Sequence, residues 1–380
     1  MAAIFDLSLD ELRRRTSAKW QRYPADVIPA WVAEMDCHLS APVTAALAEF
    51  AALGDTGYPV PARYVEAFGA FAQRHWDWAI DPAQATLSAD VMMGILVTLL
   101  QVTDPDDIVV INDPVYPPFE SFPKLIGRRI RRSPMTAEGR IDLYELEETF
   151  AEAASEGVRI AYLLCNPHNP TGVMLTAAEQ QALADLAARN GCRLLVDETY
   201  RDLSFDGPLP MAASLGPHVI SVSSLSKAYG VPGIRIGWLV NSDPALQTLF
   251  LAAKEQIGIC GSVLDEYVAE AVMERRGEIL PPILAEMRGR LGLIETWMAG
   301  EDRLEWVRPS GGVVCFPRMT AEPPGGVQAF YRRLLDDQGA YVGPGHWFEM
   351  PDRHFRLGYG WPTRAELEAG LKAISAALRG

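Results

Sequence analysis

The chain has 380 residues, 49% hydrophobic and 22% charged, with a formal net charge of −15. This is ordinary soluble globular composition, long enough for a large core and two domains, and its acidity repels phosphate backbones, which argues against a nucleic-acid partner. Five widely spaced cysteines with no CxxC, no signal-peptide pattern at the N-terminus and no apolar run longer than residues 91–100 predict a reducing, cytoplasmic setting. They argue against a disulfide framework, a zinc site and a membrane span.

In chain order, an amphipathic helix is expected over residues 9–19, then the segment WVAEMDCHLSAPV (31–43), then a helix over 42–53 with Pro42 at its start. From about 55 to 240 helical stretches (63–75, 92–102, 143–154, 176–190) alternate with short apolar strands (108–111, 160–165, 193–196, 219–222, 234–239). Strands apolar on both faces and separated by helices indicate an α/β sheet covered on both sides. Basic clusters at 13–15 and 128–132 read as solvated helix or strand faces. Beyond 241 a long helical region (244–298) leads into a smaller α+β unit. That unit has strands near 304–307, 313–317 and 354–357, a helix over 327–338 and a final helix after Pro362, with Gly- and Pro-rich stretches between. The expected organisation is an N-terminal segment (1–45) packing with the small domain, a large domain (46–285) and a small C-terminal domain (286–380).

The most informative run is VISVSSLSKAYGVPGIRIGWL, in which a β-branched segment breaks into Ser224, Ser226 and Lys227, with Arg235 eight residues on. A lysine at the end of a buried strand, beside hydroxyls and an arginine, suits a Schiff base with pyridoxal phosphate. The hydroxyls and the guanidinium can take the phosphate, and burial and cations lower the amine's pKa. The competing reading is a solvated lysine in a turn. Asp197, in RLLVDETY, ends another strand and suits a pyridine nitrogen, with Tyr200 positioned to reach the ring's phenolic oxygen; otherwise Asp197 caps a turn. In CNPHNPTG (165–172) Asn169 can bond that same oxygen and a substrate carboxylate, whereas His168 reads as packed or surface. Tyr116, after the strand at 108–111, can stack on a flat heterocycle or be plain core. The turn LSADVMMG (87–94) presents the backbone N–H groups of Val91 and Met92 to a phosphate, with Asp90 capping the helix, its side chain turned away. Arg356, in FRLGYG, offers a fork for a substrate α-carboxylate. Tyr58 lies in a Gly/Pro loop whose own neighbourhood decides nothing.

Together these segments resemble the fold-type I pyridoxal-phosphate enzymes of the aminotransferase class I/II family. The resemblance runs from about Trp31 to the last helix. Within that family RRRTSAKW (13–20), DVIPAWVAEMD (26–36), GDTGYP (54–59) and the ADVMMG turn look like the MalY/PatB cystathionine β-lyase, or C–S lyase, branch. The resemblance implies a large domain with a mixed, mainly parallel sheet sandwiched by helices, plus a small α+β domain. It implies Lys227 as Schiff-base lysine, Asp197 on the pyridine nitrogen, Asn169 and Tyr200 on the phenolic oxygen and Tyr116 on the ring. It further implies Ser224, Ser226, Arg235, Val91 and Met92 on the phosphate, and Arg356 with the Ala33 backbone at the substrate. It also implies that Tyr58 reaches the neighbouring subunit's cofactor in a homodimer, with no metal.

Two places depart from that branch. Glu198-Thr199-Tyr200-Arg201 stands where such proteins usually carry Ile-His after the aspartate, and the run around Lys227 looks more like an ordinary aminotransferase. The leading expectation is β-elimination on an S-substituted L-cysteine, with Lys227 moving the Cα proton and Tyr58 protonating the leaving thiolate. The alternatives are transamination, decarboxylating or oxidative deamination in specialised metabolism, and a regulatory protein acting by contact with a transcription factor. Trp347 and Phe348 are expected either in the wall around the substrate side group or in the small-domain core.

Overall fold

Apolar strands that recur between amphipathic helices bury both faces when helices cover the sheet on each side. The computed structural model describes all residues except 1–3, 61, 80, 82–84 and 361–362, and it has that arrangement. In chain order the strands run β1 (Ile28–Pro29), β2 (Ala85–Ser88), β3 (Ile108–Asp113), β4 (Arg129–Pro134), β5 (Ile160–Cys165), β6 (Arg193–Asp197), β7 (Val219–Ser224) and β8 (Gly237–Val240). A 7-stranded sheet has the order β2-β8-β7-β6-β5-β3-β4. The run β7-β6-β5-β3-β4 is parallel, and β8 is antiparallel to both neighbours, so the sheet is mixed and mainly parallel. Central β5 and β7 are buried along their whole length.

Register sets where chemistry can happen. Cys165 lies opposite Asp197 and Asp197 opposite Val222, so β5, β6 and β7 end side by side. The loops that leave them open together at the carboxyl edge, where open α/β sheets take their ligands.

Three local expectations need correction. The basic run at 128–132 is a strand face from Arg129 on, the edge strand β4, but Arg128 before it is buried, 7% exposed, and bonded to Thr103. Arg129 and Arg131 of that strand pair with Glu156, and Arg132 pairs with Asp113, and a charged edge resists pairing with another chain. The helix expected over 9–19 is two short ones, Leu9–Arg13 and Ala18–Gln21. Ser8 and Glu11 form a capping box on the first, while Ser17 is extended, at φ −64° and ψ 147°, and breaks the run. The helical region 244–298 is three helices, Pro244–Ile257, Val263–Glu274 and Arg276–Gly300, parted first around Gly258 and then at Arg275. The last of these runs without interruption past residue 285.

The C-terminal region carries strands Val314–Cys315 and Phe355–Gly358 and helices Val327–Asp336 and Arg364–Arg379. Thr363 caps the final helix with a capping box on Glu366; residue 362, expected to precede it, lies outside the described residues. The N-terminal segment is stitched to this region by backbone. β1 pairs in parallel with Ala340–Tyr341, the Gly358 N–H donates to Ala30 O at 2.8 Å, and the Asp36 N–H donates to Gly360 O at 2.9 Å. Beneath the stitch, Lys19 and Asp36 form an ion pair at 2.5 Å with both side chains 1% exposed. Trp20 Nε1 donates to the other Asp36 oxygen at 2.9 Å. Among the described residues no helix is long and apolar enough to cross a membrane.

Candidate active site

At the carboxyl edge of the sheet lies a cavity of about 250 Å³. Lys227 follows β7, Asp197 ends β6, Asn169 and Tyr116 sit in the loops after β5 and β3, and Val91 and Met92 begin the helix Val91–Val102. All of these line the cavity, as do Ala33, Tyr200, Ser224, Ser226, Arg235 and Arg356. Tyr58 does not: its side chain is 90% exposed.

Two titratable groups define the chemistry. The Lys227 amine donates to Ala33 O at 2.8 Å. Loss of hydration brings its pKa down to about 8; Glu34 and Asp197 oppose that shift, and the cations of Arg356 and Arg235 add to it. Burial pushes the Asp197 carboxyl up to about 7, with Glu198 adding to the shift, while the Thr199 N–H and the Lys227 charge work against it. The Thr199 N–H donates to Asp197 Oδ1 at 2.9 Å, and among the described residues no cation forms an ion pair with this carboxylate. A buried carboxylate with one backbone donor and no cation fits a protonated ring nitrogen, which supplies both charge and hydrogen.

One end of the cavity suits a phosphate. Ser224 Oγ donates to Ser226 Oγ at 3.2 Å and lies 3.1 Å from Thr199 Oγ1. The first-turn N–H groups of Val91 and Met92 have no intrahelical acceptor and carry the positive end of the helix dipole. Asp90 is not turned away as expected. Oδ1 caps the helix by accepting from the Met93 N–H at 2.8 Å, but Oδ2 accepts from Arg235 Nη2 at 2.7 Å, and the residue lines the cavity. It aims the guanidinium and offsets part of its charge.

At the other end Arg356, on the strand Phe355–Gly358, donates from Nη1 to Asn169 Oδ1 at 3.1 Å and from Nη2 to Trp31 O at 2.6 Å. Its guanidinium stacks 4.6 Å from the centre of the Phe348 ring. Nε is buried without a hydrogen-bond partner, and among the described residues no carboxylate pairs with Arg356. A buried fork in that state suits a small carboxylate ligand. Phe348 is therefore packing beneath the arginine, and Trp347 meets Trp31 edge-on at 5.9 Å. Asn169 owes its place to a tight turn. Gly172 has φ +72°, and a Cβ there would come within 2.6 Å of Pro309. His168 is packed, 3.0 Å from Thr171 Oγ1, with burial holding its pKa down to about 4.

Thr199 was not singled out from the sequence, yet it bonds Asp197 and Ser224 and lines the cavity. Its signal was present: the backbone N–H two residues after a strand-end aspartate closes an Asx-type turn, which leaves the threonine hydroxyl free for Ser224.

A family model described as Aminotransferase class I and II matches residues 27–374. The chain belongs to that family. It is accordingly a pyridoxal-phosphate-dependent enzyme, and the lysine, the buried carboxylate and the end suited to a phosphate fit that cofactor. This aminotransferase-family chain is 38% identical over 292 residues to a Mycobacterium tuberculosis protein provisionally named a cystathionine beta-lyase, covering 73% of this chain and 70% of that one. It is 25% identical to the cystathionine beta-lyase PatB of Bacillus subtilis over 95% of this chain and 96% of that one. In structure it resembles Treponema denticola cystalysin, with a TM-score of 0.88 at 18% identity, covering 100% and 99% of the two chains.

Proposed function

We propose that this enzyme is a carbon–sulfur β-lyase that cleaves an S-substituted L-cysteine to a thiol, pyruvate and ammonia. The observation that carries the reading concerns the segment 26–36, which bears the β-lyase-like sequence. It supplies the carbonyls that hold both cations of the cavity, Ala33 O for Lys227 and Trp31 O for Arg356. The similarity to cystathionine β-lyases supports it further.

Bound pyridoxal phosphate supplies an electron sink next to the substrate's Cα, which makes that proton removable. The protein does the rest. Asp197 would hold a proton on the ring nitrogen, Asn169 and Tyr200 would bond the phenolic oxygen, and Tyr116 would cover the ring. Ser224, Ser226, Arg235 and the N–H groups of Val91 and Met92 would hold the phosphate. Arg356 pairs with the substrate α-carboxylate, beside the Ala33 backbone. Lys227, with its pKa lowered to about 8, has a usable fraction of free amine near neutral pH and takes the Cα proton. The electron pair of that C–H bond becomes the Cα=Cβ bond as the Cβ–S bond breaks. The sulfur leaves with its own pair and takes a proton from Tyr58 of the partner subunit. Water then converts the released 2-aminoacrylate to pyruvate and ammonia.

The partner role of Tyr58 rests on the family resemblance, and its exposure accords with it. It is 90% exposed and off its own cavity, and the nearby Val60 is 81% exposed, which suits a homodimer with shared sites. We likewise take 1–45, 46–285 and 286–380 as the functional divisions and place the enzyme in the cytoplasm.

The test is a single-turnover reaction of the cofactor-loaded protein with an S-alkyl-L-cysteine and no keto-acid acceptor. Free thiol, pyruvate and ammonia, with the starting spectrum restored, are expected. Stoichiometric pyridoxamine phosphate without thiol would make the enzyme an aminotransferase instead.

A further inference from the structure

A second cavity, of about 330 Å³, lies away from the chemistry described above. It sits where the end of the helix Ala62–Trp76, the turn Arg201–Leu203 with the loop after it, and the start of the helix Arg276–Gly300 converge. Its walls carry four guanidinium groups, Arg74, Arg201, Arg276 and Arg288, against the single carboxylate of Asp202. That is a local excess of positive charge on a chain whose formal net charge is −15.

The pairing inside the cavity leaves the excess standing. Asp202 accepts from Arg276 Nη2 at 3.1 Å and from the Tyr229 hydroxyl, so it is already committed. Arg201 is 8% exposed and stacks 4.8 Å from the centre of the Trp76 ring. Its Nε has no hydrogen-bond partner but forms an ion pair with Glu198 at 3.6 Å, and its Nη2 donates to Leu209 O, so the uncompensated charge is that of Arg74 and Arg288. Arg276 Nε is likewise buried without a hydrogen-bond partner. Arg74 and Arg288 bond only backbone carbonyls, Ala70 O at 3.2 Å and Phe205 O at 3.0 Å. Among the described residues neither meets a carboxylate. His75 lines the same cavity, and burial and the Arg276 charge lower its pKa. Gathering four guanidiniums costs electrostatic energy, and buried donors without acceptors add to it. Both costs are relieved by an oxyanion that takes several N–H groups at once.

We infer that this cavity binds a small dianionic oxyanion, a phosphate or a short dicarboxylate, at a site separate from the cofactor cavity. Arg201 lies between the two cavities: with Glu198 it lines a void of about 10 Å³ that Thr199 and Ser224 of the cofactor cavity also line.

The experiment is isothermal titration of the cofactor-loaded enzyme with sodium phosphate and separately with disodium succinate. Three proteins are compared: the parent, Arg74→Ala/Arg288→Ala, and Arg356→Lys. Loading keeps the cofactor's own phosphate site filled, and Arg356→Lys reports any succinate bound as a substrate mimic. Saturable binding to the parent is expected, weakened by about tenfold or more in the double arginine variant, unchanged in Arg356→Lys, and falling with ionic strength. The probe that saturates identifies the source as phosphate or dicarboxylate. Two results would overturn the site: no saturation below about 10 mM for either probe, or binding lost only in Arg356→Lys. Arg74 and Arg288 are both exposed, so the double variant should fold; Arg276→Gln is the independent second variant.

Discussion

The cavity has two walls of different construction. One is the carboxyl edge of the large sheet, where Asp197, Ser224 and Lys227 follow directly from strands in parallel register. The other is assembled from the two ends of the chain: Trp31 and Ala33 come from the N-terminal segment, and Arg356 from a strand 325 residues further on than Trp31. Sheet register positions the first wall whatever its side chains are. The second depends on a few backbone hydrogen bonds and one buried ion pair. A change on the sheet wall should therefore remove chemistry and leave the fold, while a change beneath the stitched wall should remove the fold's local order and, through it, substrate binding.

The largest expected effect breaks the first half of that contrast. Lys227→Ala should lower turnover by about 10⁴-fold or more, since it removes the group proposed to move the proton. Compared without cofactor, its melting temperature should not fall, because the lost amine was held desolvated. A melting temperature several degrees lower would mean that the sheet wall is not independent of its side chains. Lys19→Met attacks the stitched wall. It leaves Asp36 buried without its cation and should cost about 3–5 kcal/mol in chemical denaturation. Asp36→Leu added to it should restore much of that, and a double variant no better than the single would show that the pair's charge is not what matters.

Arg356→Lys is a smaller perturbation of the same wall. A lysine cannot make the two bonds that hold the guanidinium on Asn169 and Trp31 while also presenting a planar fork. KM should rise by about tenfold to a hundredfold, with the cofactor's visible spectrum unchanged. A changed spectrum with constant KM would move Arg356 from the substrate to the cofactor.

The same contrast explains what could be read from the sequence. The sheet wall was legible because each part leaves a mark in one short run: an apolar strand, then a polar residue of the right chemistry at its end. The order of the strands and the partner faces of β2 and β8 left no such mark. On the stitched wall Arg356 was legible, but its partner Trp31 O was not, because a carbonyl oxygen carries no residue signature. Strand β4 was hidden because an edge strand rich in arginines looks like any charged surface. Thr199 was overlooked between two more conspicuous neighbours, and the role of Asp90 was misread because a cap uses only one of its two oxygens. The arginine cavity was invisible for another reason. Its four cations lie more than a hundred residues apart in places, and only the meeting of two helices and a turn makes them one group.

The smallest effect probes the electrostatic environment shared by the two walls. Lys227 owes its lowered pKa first to desolvation, and the cation of Arg356, from the stitched wall, adds to it. With a folded pKa of about 8 against about 10.4 for a solvated lysine, protonation favours the unfolded chain. The resulting penalty on stability grows as pH falls from about 10.4 toward 8 and is constant below that. Cofactor capture by the apoprotein needs the free amine. Its rate should rise with pH to a plateau above about 8 and fall about tenfold per pH unit below it, followed as growth of the visible band after mixing with pyridoxal phosphate. In Arg356→Lys the charge is kept and the midpoint should stay near the parent's, whereas in Arg356→Met it should move upward, because one repelling cation has gone. A parent midpoint near that of a solvated lysine would mean the cavity does not desolvate the amine at all, and the free-base role given to Lys227 near neutral pH would fall with it.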